Sequence, residues 1–156
     1  MDEIEFVDLF KIDEEQIMAL MTHEQVGKQL PLLGGRFGAQ QCRTFLNAKK
    51  RLWDQYGFGP QGIMIQGEFA GWGGLQPEHG EADFALILHP KFWGWGPKIF
   101  SRIKEQAFHE MKLDSITILL PPSRANSKAV KRLGFVEEGP QMIEGKCFTK
   151  YRLNHV

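Results

Sequence analysis

The chain alternates between segments with helical spacing of apolar residues and short apolar runs typical of strands. The apolar run from Ile4 to Phe10 predicts a first strand, and the acidic residues 13–15 that follow mark the start of a helix. From Ala39 to Tyr56, large apolar residues recur every three to four positions, which predicts a second helix.

Three short apolar runs in the middle of the chain predict an antiparallel meander, because Gly, Pro and His residues separate them. The runs cover Gly62–Gln66, Glu68–Leu75 and Ala82–Leu88. Next, Gly94–Gly96 predicts a glycine-rich turn that leads into a helix starting near Pro97.

The last third of the chain predicts a buried strand at Ser115–Leu120, a short helix from about Asn126 to Leu133, and two final strands. The order is strand, two helices, three strands, helix, strand, helix, two strands. No internal repeat and no linker interrupts it, so we expect one domain over residues 1–156, of the α/β or mixed α+β class.

Composition narrows the possible functions. The 156 residues are 42% hydrophobic and 24% charged, which is typical of a soluble globular domain. Nineteen Lys and Arg balance nineteen Asp and Glu, so no net field attracts nucleic acid. No apolar run approaches the ~20 residues of a membrane span. We expect neither a nucleic-acid partner nor a membrane segment.

The two cysteines, Cys42 and Cys147, lie far apart and without CxxC spacing. This spacing indicates neither a disulfide framework nor a zinc site. The acidic first residues do not resemble an export signal. We therefore expect a cytoplasmic protein.

The stretch from Asp83 to Phe100 is the most informative for chemistry, because a strand leads through glycines directly into a helix. Glycine lets the backbone approach a phosphate, and the free amides of a helix start face the anion. The same pattern occurs at least as often in ordinary turns, and it is neither a nucleotide P-loop nor a complete G-x-G-x-x-G motif. By itself, the pattern leaves a phosphate site and a plain turn both open.

Five motifs occur in order along the chain. They are Gly57-Phe58-Gly59; Gly71-Trp72-Gly73-Gly74-Leu75; Ala82-Asp83-Phe84-Ala85-Leu86; Pro90, Trp93, Gly94 and Gly96; and Ser123 through Lys131-Arg132-Leu133-Gly134-Phe135. Together they resemble the GNAT superfamily of acyl-CoA-dependent N-acetyltransferases over nearly the whole chain. The resemblance is closest to the branch that acetylates the N-termini of ribosomal proteins.

The resemblance implies a GNAT-like fold: a central, mostly antiparallel sheet of six or seven strands, with strands 4 and 5 splayed apart and about four flanking helices. Acetyl-CoA would lie between the splayed strands as the acyl donor. A primary amine, from a small molecule or a polypeptide N-terminus, would attack the thioester directly. The resemblance implies no metal. Family members are often dimers, so a homodimer is compatible with it.

The resemblance also implies which residues bind the donor. They are Ile87, Leu88, Trp93, Gly94, Trp95, Gly96, Lys98, Ser123 and Asn126. The first two would pair through their backbone with the pantetheine arm, and an amide there would polarise the thioester carbonyl. The amides of residues 93–96 would hold the pyrophosphate. Lys98 would add a positive charge there, or would instead be a solvated helix residue.

Three residues depart from the family pattern. Pro97 lacks an amide donor, and Lys98 replaces a small residue of the phosphate loop. Val130 stands where many members carry a tyrosine that protonates the leaving thiolate. Water or another group would then supply that proton, or the thiolate would leave unprotonated. A non-catalytic CoA-binding or regulatory domain of the same fold, and an interaction protein that uses its exposed aromatic residues, remain alternatives.

Asp83 is the candidate catalytic base, since it occupies the position of a glutamate in the branch; a structural residue at a strand edge is the alternative. Glu68, His79, Glu81 and His89 are further candidates near the centre of the sheet. A histidine has a convenient pKa for removing a proton from an ammonium group.

Acidic residues gather at Glu78, Glu81 and Asp83, where they could orient an ammonium group, although the neutral net charge disfavours a dedicated polyamine site. The cationic residues 49–51 are interpreted as the solvated face of the second helix.

Four residues carry expectations about burial. Tyr151 and Cys147 are expected to pack in the core. Trp95 lies between two glycines and is therefore expected to be more exposed than Trp93.

Overall fold

The computed structural model describes residues 3–27, 37–121 and 127–155. Its strands are β1 (Ile4–Val7), β2 (Gln61–Ile65), β3 (Glu68–Glu78), β4 (Glu81–Leu88), β5 (Ser115–Leu120), β6 (Val136–Ile143) and β7 (Lys146–Asn154). Its α-helices are α1 (Glu14–Thr22), α2 (Glu24–Gly27), α3 (Ala39–Tyr56), α4 (Gly96–Glu105) and α5 (Ser127–Arg132). Within the described residues there are also two 3₁₀ helices, Leu9–Lys11 and Pro90–Trp95, and a π-helical turn, Gln106–Glu110.

The strands form one seven-stranded sheet in the order β1-β2-β3-β4-β5-β7-β6. Every neighbouring pair is antiparallel except β4 and β5, which are parallel. Those two strands are in register at a single pair, Asp83 and Thr117. The mostly antiparallel sheet of the mixed α/β class, with strands 4 and 5 splayed apart, is therefore confirmed.

The sheet separates two apolar cores, because successive side chains of a strand point to opposite faces. On one face, Phe84 and Leu86 of β4 pack toward α4, and the ring centroid of Phe84 lies 5.0 Å from that of Phe100. On the other face, Ile87 of β4 and Trp72 of β3 pack with α1 and α3. The side chain of Asp83 shares this second face, since it lies an even number of positions from Ile87.

Local signals account for the helix boundaries that the sequence predicted. The Asp13 carboxylate accepts a hydrogen bond from the amide of Glu15 and caps α1, as expected of an acidic residue at a helix start. Helix α3 covers Ala39–Tyr56, as predicted, and ends at Gly57, which adopts a left-handed conformation with φ of 78°.

Two predicted boundaries were wrong because a side chain caps a 3₁₀ helix at each. Strand β1 ends at Val7, since the carboxylate of Asp8 accepts from the amide of Phe10 and turns the chain. The turn predicted at Gly94–Gly96 is instead the end of the 3₁₀ helix Pro90–Trp95, which runs directly into α4. The ring nitrogen of His89 caps it by accepting from the amide of Lys91, at 3.1 Å.

Two of the three expectations about burial need correction. Trp95 packs against the core beside α4, whereas Trp93 is 42% exposed, the reverse of the expectation. The reversal follows from the 3₁₀ helix, which directs the two rings to different sides. Cys147 is exposed and therefore does not pack in the core. Tyr151 is buried, as expected.

Gly71 is required where β3 and β4 approach each other. A Cβ atom at this position would lie 1.9 Å from the carbonyl oxygen of Ile87, which is backbone and cannot rotate away. We predict that Gly71→Ala destabilises the fold by about 1–3 kcal/mol, the usual range for overpacking. Urea unfolding would measure this change.

The control for this prediction is Gly94→Ala, because an added Cβ there meets nothing within 4 Å. This control should change the unfolding free energy by less than about 0.5 kcal/mol. Equal destabilisation by the two variants would contradict the close approach of the strands.

Candidate functional site

A cavity of about 710 Å³ opens where β4 and β5 diverge. Both strands line it, together with residues of β3, β7, α1, α3, α4 and α5. The lining residues that the arguments below use are Lys49, Trp72, Gln76, Asp83, Leu86, Gly96 and Val130. The cavity thus reaches from the α1–α3 face of the sheet to the α4–α5 face.

The backbone of β4 presents alternate residues to the opening. The carbonyl oxygens of Ala85 and Ile87 lie against the glycines of β3, and the amide of His89 donates to Ala70 on the same strand. Hydrogen bonding alternates along an antiparallel strand, so the N–H and C=O groups of Leu86 and Leu88 point the other way, toward β5.

This alternation changes one predicted pairing. The backbone groups of Ile87 face β3, whereas those of Leu86, which the sequence did not single out, face the space between β4 and β5. The backbone of Leu88 points to the same side as that of Leu86, but Leu88 does not line the cavity, and its carbonyl oxygen accepts from the indole N–H of Trp93 at 2.9 Å.

Asp83 lies at the point where the two splayed strands meet. Its side chain is 7% exposed, and one carboxylate oxygen accepts a hydrogen bond from the hydroxyl of Thr117 at 2.8 Å. Burial raises the pKa of Asp83 to about 7, because the ionised form loses hydration, and the hydrogen bond from Thr117 only partly opposes this rise. A carboxyl group with such a pKa can accept and release a proton near neutral pH.

Lys49 also enters the cavity, which the interpretation of residues 49–51 as a solvated face did not foresee. Its ammonium nitrogen lies 5.1 Å from the centroid of Trp72 and 5.4 Å from that of Phe45, and it donates to the side-chain oxygen of Gln76 at 2.6 Å. Burial lowers the pKa of Lys49 to about 8, although the carboxylates of Glu78 and Asp83 partly oppose the change.

The acidic residues near Asp83 do not form an acidic cleft. Glu81 is paired with both Lys150 and Arg152, and its hydrogen bond from Lys150 contributes most to lowering its pKa. Glu78 lies 3.3 Å from the ring nitrogen of His79. With Glu81 neutralised by two cations, Asp83 is the acidic side chain that lines the cavity among the described residues.

The remaining acid–base candidates lie apart from the cavity. Glu68 forms an exposed ion pair with Lys91 at 2.9 Å, and the side chain of His79 is also exposed. His89 is engaged in capping the 3₁₀ helix that precedes α4. None of these residues lines the cavity with Asp83.

The start of α4 lies at one end of the cavity, where Gly96 and Pro97 line it. The amide of Gly96 already donates to the carbonyl of Trp93, and Pro97 has no amide to donate. Lys98 is exposed, with its ammonium 3.7 Å from Glu3 and 5.2 Å from the centroid of Trp95. Fewer amides are therefore available to an anion here than the glycine pattern predicted.

The α5 side of the cavity is apolar. Val130 is buried and lines it together with Ala129, so the position expected to carry a proton donor is occupied by a hydrocarbon side chain. The predicted contact residues Ser123 and Asn126 lie outside the described residues.

The described residues show neither a metal centre nor a membrane span. No group of three or more His, Cys, Asp or Glu side chains within 3–27, 37–121 and 127–155 could hold a metal ion. Over the same ranges, no helix is long and apolar enough to cross a membrane.

No protein-family model and no curated protein matches the sequence. The fold, by contrast, is shared with solved acetyltransferases. A GNAT-family acetyltransferase from Bacillus anthracis is 18% identical with a TM-score of 0.73, over 97% of this chain and 93% of that chain.

Two further structures contain coenzyme A. A spermidine N-acetyltransferase from Vibrio cholerae, in complex with CoA and spermine, is 20% identical with a TM-score of 0.74, over 97% of this chain and 95% of that one. A ribosomal L7/L12 alpha-N-protein acetyltransferase in complex with coenzyme A is 18% identical with a TM-score of 0.70, over 99% of this chain and 95% of that one. The chain therefore has the fold of GNAT acetyltransferases.

The raised pKa of Asp83 predicts a pH-dependent stability. The folded chain binds more protons than the unfolded chain between about pH 4 and pH 7, so this residue lowers the free energy of unfolding as pH rises through that window. Asp83→Asn removes the titration and keeps an oxygen for the Thr117 hydroxyl. We predict that the variant gains on the order of 2–4 kcal/mol relative to wild type between pH 4 and 8.

Urea unfolding of both proteins at several pH values would measure this difference. Groups with a lowered pKa, such as Glu81 and Glu138, titrate in both proteins and cancel in the difference. A difference that stays constant with pH would show that Asp83 ionises normally in the folded chain.

Proposed function

We propose that the protein is an N-acetyltransferase that moves an acetyl group from acetyl-CoA to a primary amine. The observation that carries this proposal is the position of a buried carboxyl group, Asp83, at the closed end of a cavity between two splayed parallel strands. The shared fold supports it, since solved structures of this fold include acetyltransferases with coenzyme A bound.

The donor would lie along β4 on the α4–α5 side of the cavity. The pantetheine arm would pair with the backbone of Leu86 and Leu88, and an N–H group there would stabilise negative charge on the thioester oxygen. The pyrophosphate would lie at the start of α4, near residues 93–96, where the helix dipole and Lys98 favour an anion. The apolar walls from Phe100 and Val130 would exclude water from the thioester.

The acceptor amine would approach from the α1–α3 face. The Asp83 carboxylate would take a proton from its ammonium group, and the free amine would then attack the thioester carbon. The C–N bond forms, the C–S bond breaks, and CoA leaves as the thiolate. The attacking nitrogen loses its second proton to water as the amide forms. Because Val130 offers no proton, the thiolate would be protonated by water or by the carboxyl group of Asp83 through water.

The acceptor would be a small molecule or a polypeptide N-terminus, and the resemblance of the motifs to the branch that acetylates ribosomal protein N-termini supports the second of these. Both cysteines are free thiols, which supports a cytoplasmic location.

The first experiment is CoA release from acetyl-CoA in the presence of a panel of amines. Stabilisation by acetyl-CoA without CoA release from any amine would favour a non-catalytic CoA-binding domain.

Donor binding can be tested at Gly96. A Cβ added there meets only Leu86, at 3.9 Å, so the fold has room for a side chain that would extend into the cavity. We predict that Gly96→Leu removes most of the thermal stabilisation by acetyl-CoA, which is about 2.7 kcal/mol at one hundred times the dissociation constant.

Gly27→Leu is the control for this variant, because Gly27 lies outside the cavity with nothing within 4 Å of an added Cβ. Full stabilisation of the Gly96→Leu variant by acetyl-CoA would place the donor elsewhere.

The role of Asp83 predicts a specific kinetic signature. Asp83→Asn should lower kcat by about 10²–10⁴-fold, as expected for loss of a general base, while acetyl-CoA still stabilises the protein. In the wild type, kcat/KM should rise with pH through about 7. Thr117→Val should shift that rise to higher pH, because it removes the hydrogen bond that stabilises the carboxylate. A pH profile unchanged in the Thr117→Val variant would exclude Asp83 as the base.

A further inference from the structure

The acceptor side of the cavity contains two charged side chains of opposite sign. On the α1–α3 face, the lining residues are Met21, Phe45, Lys49, Trp72, Gln76, Asp83, Ala85, Ile87, Leu119 and Phe148. Among them, Asp83 is the acidic residue and Lys49 the basic one, and the others are apolar or aromatic except for Gln76. A ligand on this face therefore meets an apolar wall with one carboxyl group and one ammonium group.

The ammonium group of Lys49 forms no ion pair within the described residues. Its ammonium group has three donors, of which Gln76 accepts one. Across residues 3–27, 37–121 and 127–155, no carboxylate lies within ion-pair distance of this nitrogen. A partly buried ammonium is costly unless an anion pairs with it, and the two aromatic rings and the more distant carboxylates of Glu78 and Asp83 provide only part of that compensation. An anionic ligand group in the cavity would supply the remainder.

Lys49 and Asp83 are close enough for one small ligand to reach both. Gln76 faces Asp83 directly across the β3–β4 ladder, and cross-strand partners have Cβ atoms about 4.5–5.5 Å apart. The same Gln76 side chain accepts the hydrogen bond from Lys49. One glutamine therefore connects the two charges.

We propose that the acceptor is a small amine that also carries a carboxylate and an apolar side chain, as a free apolar amino acid does, and that Lys49 binds this carboxylate. The inference rests on the proposed function, because it assigns the ammonium group of the acceptor to Asp83. The apolar side chain of the ligand would contact Met21, Phe45 and Trp72. A polyamine would be repelled by Lys49 and would find Glu81 already paired with two cations.

The test compares acceptors that differ in the carboxylate alone. Phenylalanine, leucine and methionine are assayed beside 2-phenylethylamine, isoamylamine and 3-(methylthio)propylamine, with CoA release from acetyl-CoA as the readout. The wild type should show a higher kcat/KM for each amino acid than for its carboxylate-free partner. The ratio for the best pair should be about 10–100-fold, the usual effect of one hydrogen-bonded charge pair.

Variants of Lys49 show whether this residue makes the distinction. Lys49→Met should reduce the preference for the amino acid to within about threefold of unity, because it removes the cation that distinguishes the two members of each pair. Lys49→Arg keeps the charge and should retain a preference. Lys50→Met is the matched control, because Lys50 follows on the same helix, is exposed and does not line this cavity.

Each outcome bears on the inference. An equal or higher kcat/KM for the carboxylate-free amines, an unchanged ratio in Lys49→Met, or CoA release from none of the three amino acids overturns it. Stabilisation by acetyl-CoA and CoA release with the other amines then show whether the proposed function survives. If neither is seen, the proposed function has failed as well.

Discussion

The single bridge between β4 and β5 is the constraint on which the site depends. A longer parallel ladder would occupy the backbone groups of both strands, whereas pairing at Asp83 and Thr117 alone leaves the groups beyond them facing a cavity. Buried backbone groups without partners are costly, so the opening suits an extended ligand that can pair as another strand would. On its other side, β4 is held to β3 through eight register pairs. Strand β4 is thus paired along its edge toward β3 and largely unpaired along its edge toward β5.

The same burial acts in opposite directions on the two charged residues of the cavity. Loss of hydration disfavours the charged form of each, so it raises the pKa of Asp83 and lowers the pKa of Lys49. Contact with a ligand group of opposite sign would stabilise the charged form of each side chain. The site is therefore better suited to a ligand with both charges than to a cation or an anion alone.

Sequence patterns predicted the features that depend on local interactions. The helix at Ala39–Tyr56 follows from the spacing of its apolar residues, and the strand at Ser115–Leu120 from a continuous apolar run. The helix start at Asp13 follows from capping chemistry. The splayed strands were implied by a resemblance carried by several short motifs in order, none of which is specific alone.

The features that sequence reasoning missed depend on contacts between distant segments. Lys49 enters the cavity because α3 packs on Trp72. No pattern within the helix indicates which of its lysines faces Trp72. Glu81 is neutralised by Lys150 and Arg152 from the last strand. The backbone groups of Leu86, rather than those of Ile87, face β5, and this depends on the register of β4 with β3.

The raised pKa of Asp83 bears on the missing proton donor at Val130. For an ammonium group with a pKa near 10, a base with a pKa of about 7 makes proton removal about 4 kcal/mol less unfavourable than one at the ordinary value of 3.8. Once protonated, the same carboxyl group is a stronger acid than a thiol, whose pKa is about 8.5, so transfer of the proton to the departing thiolate is favourable by about 2 kcal/mol. A dedicated acid on α5 is then not needed for the proton balance. Burial of Asp83 lowers folding stability at neutral pH, and under the proposed function that same burial makes one residue suitable for both proton transfers.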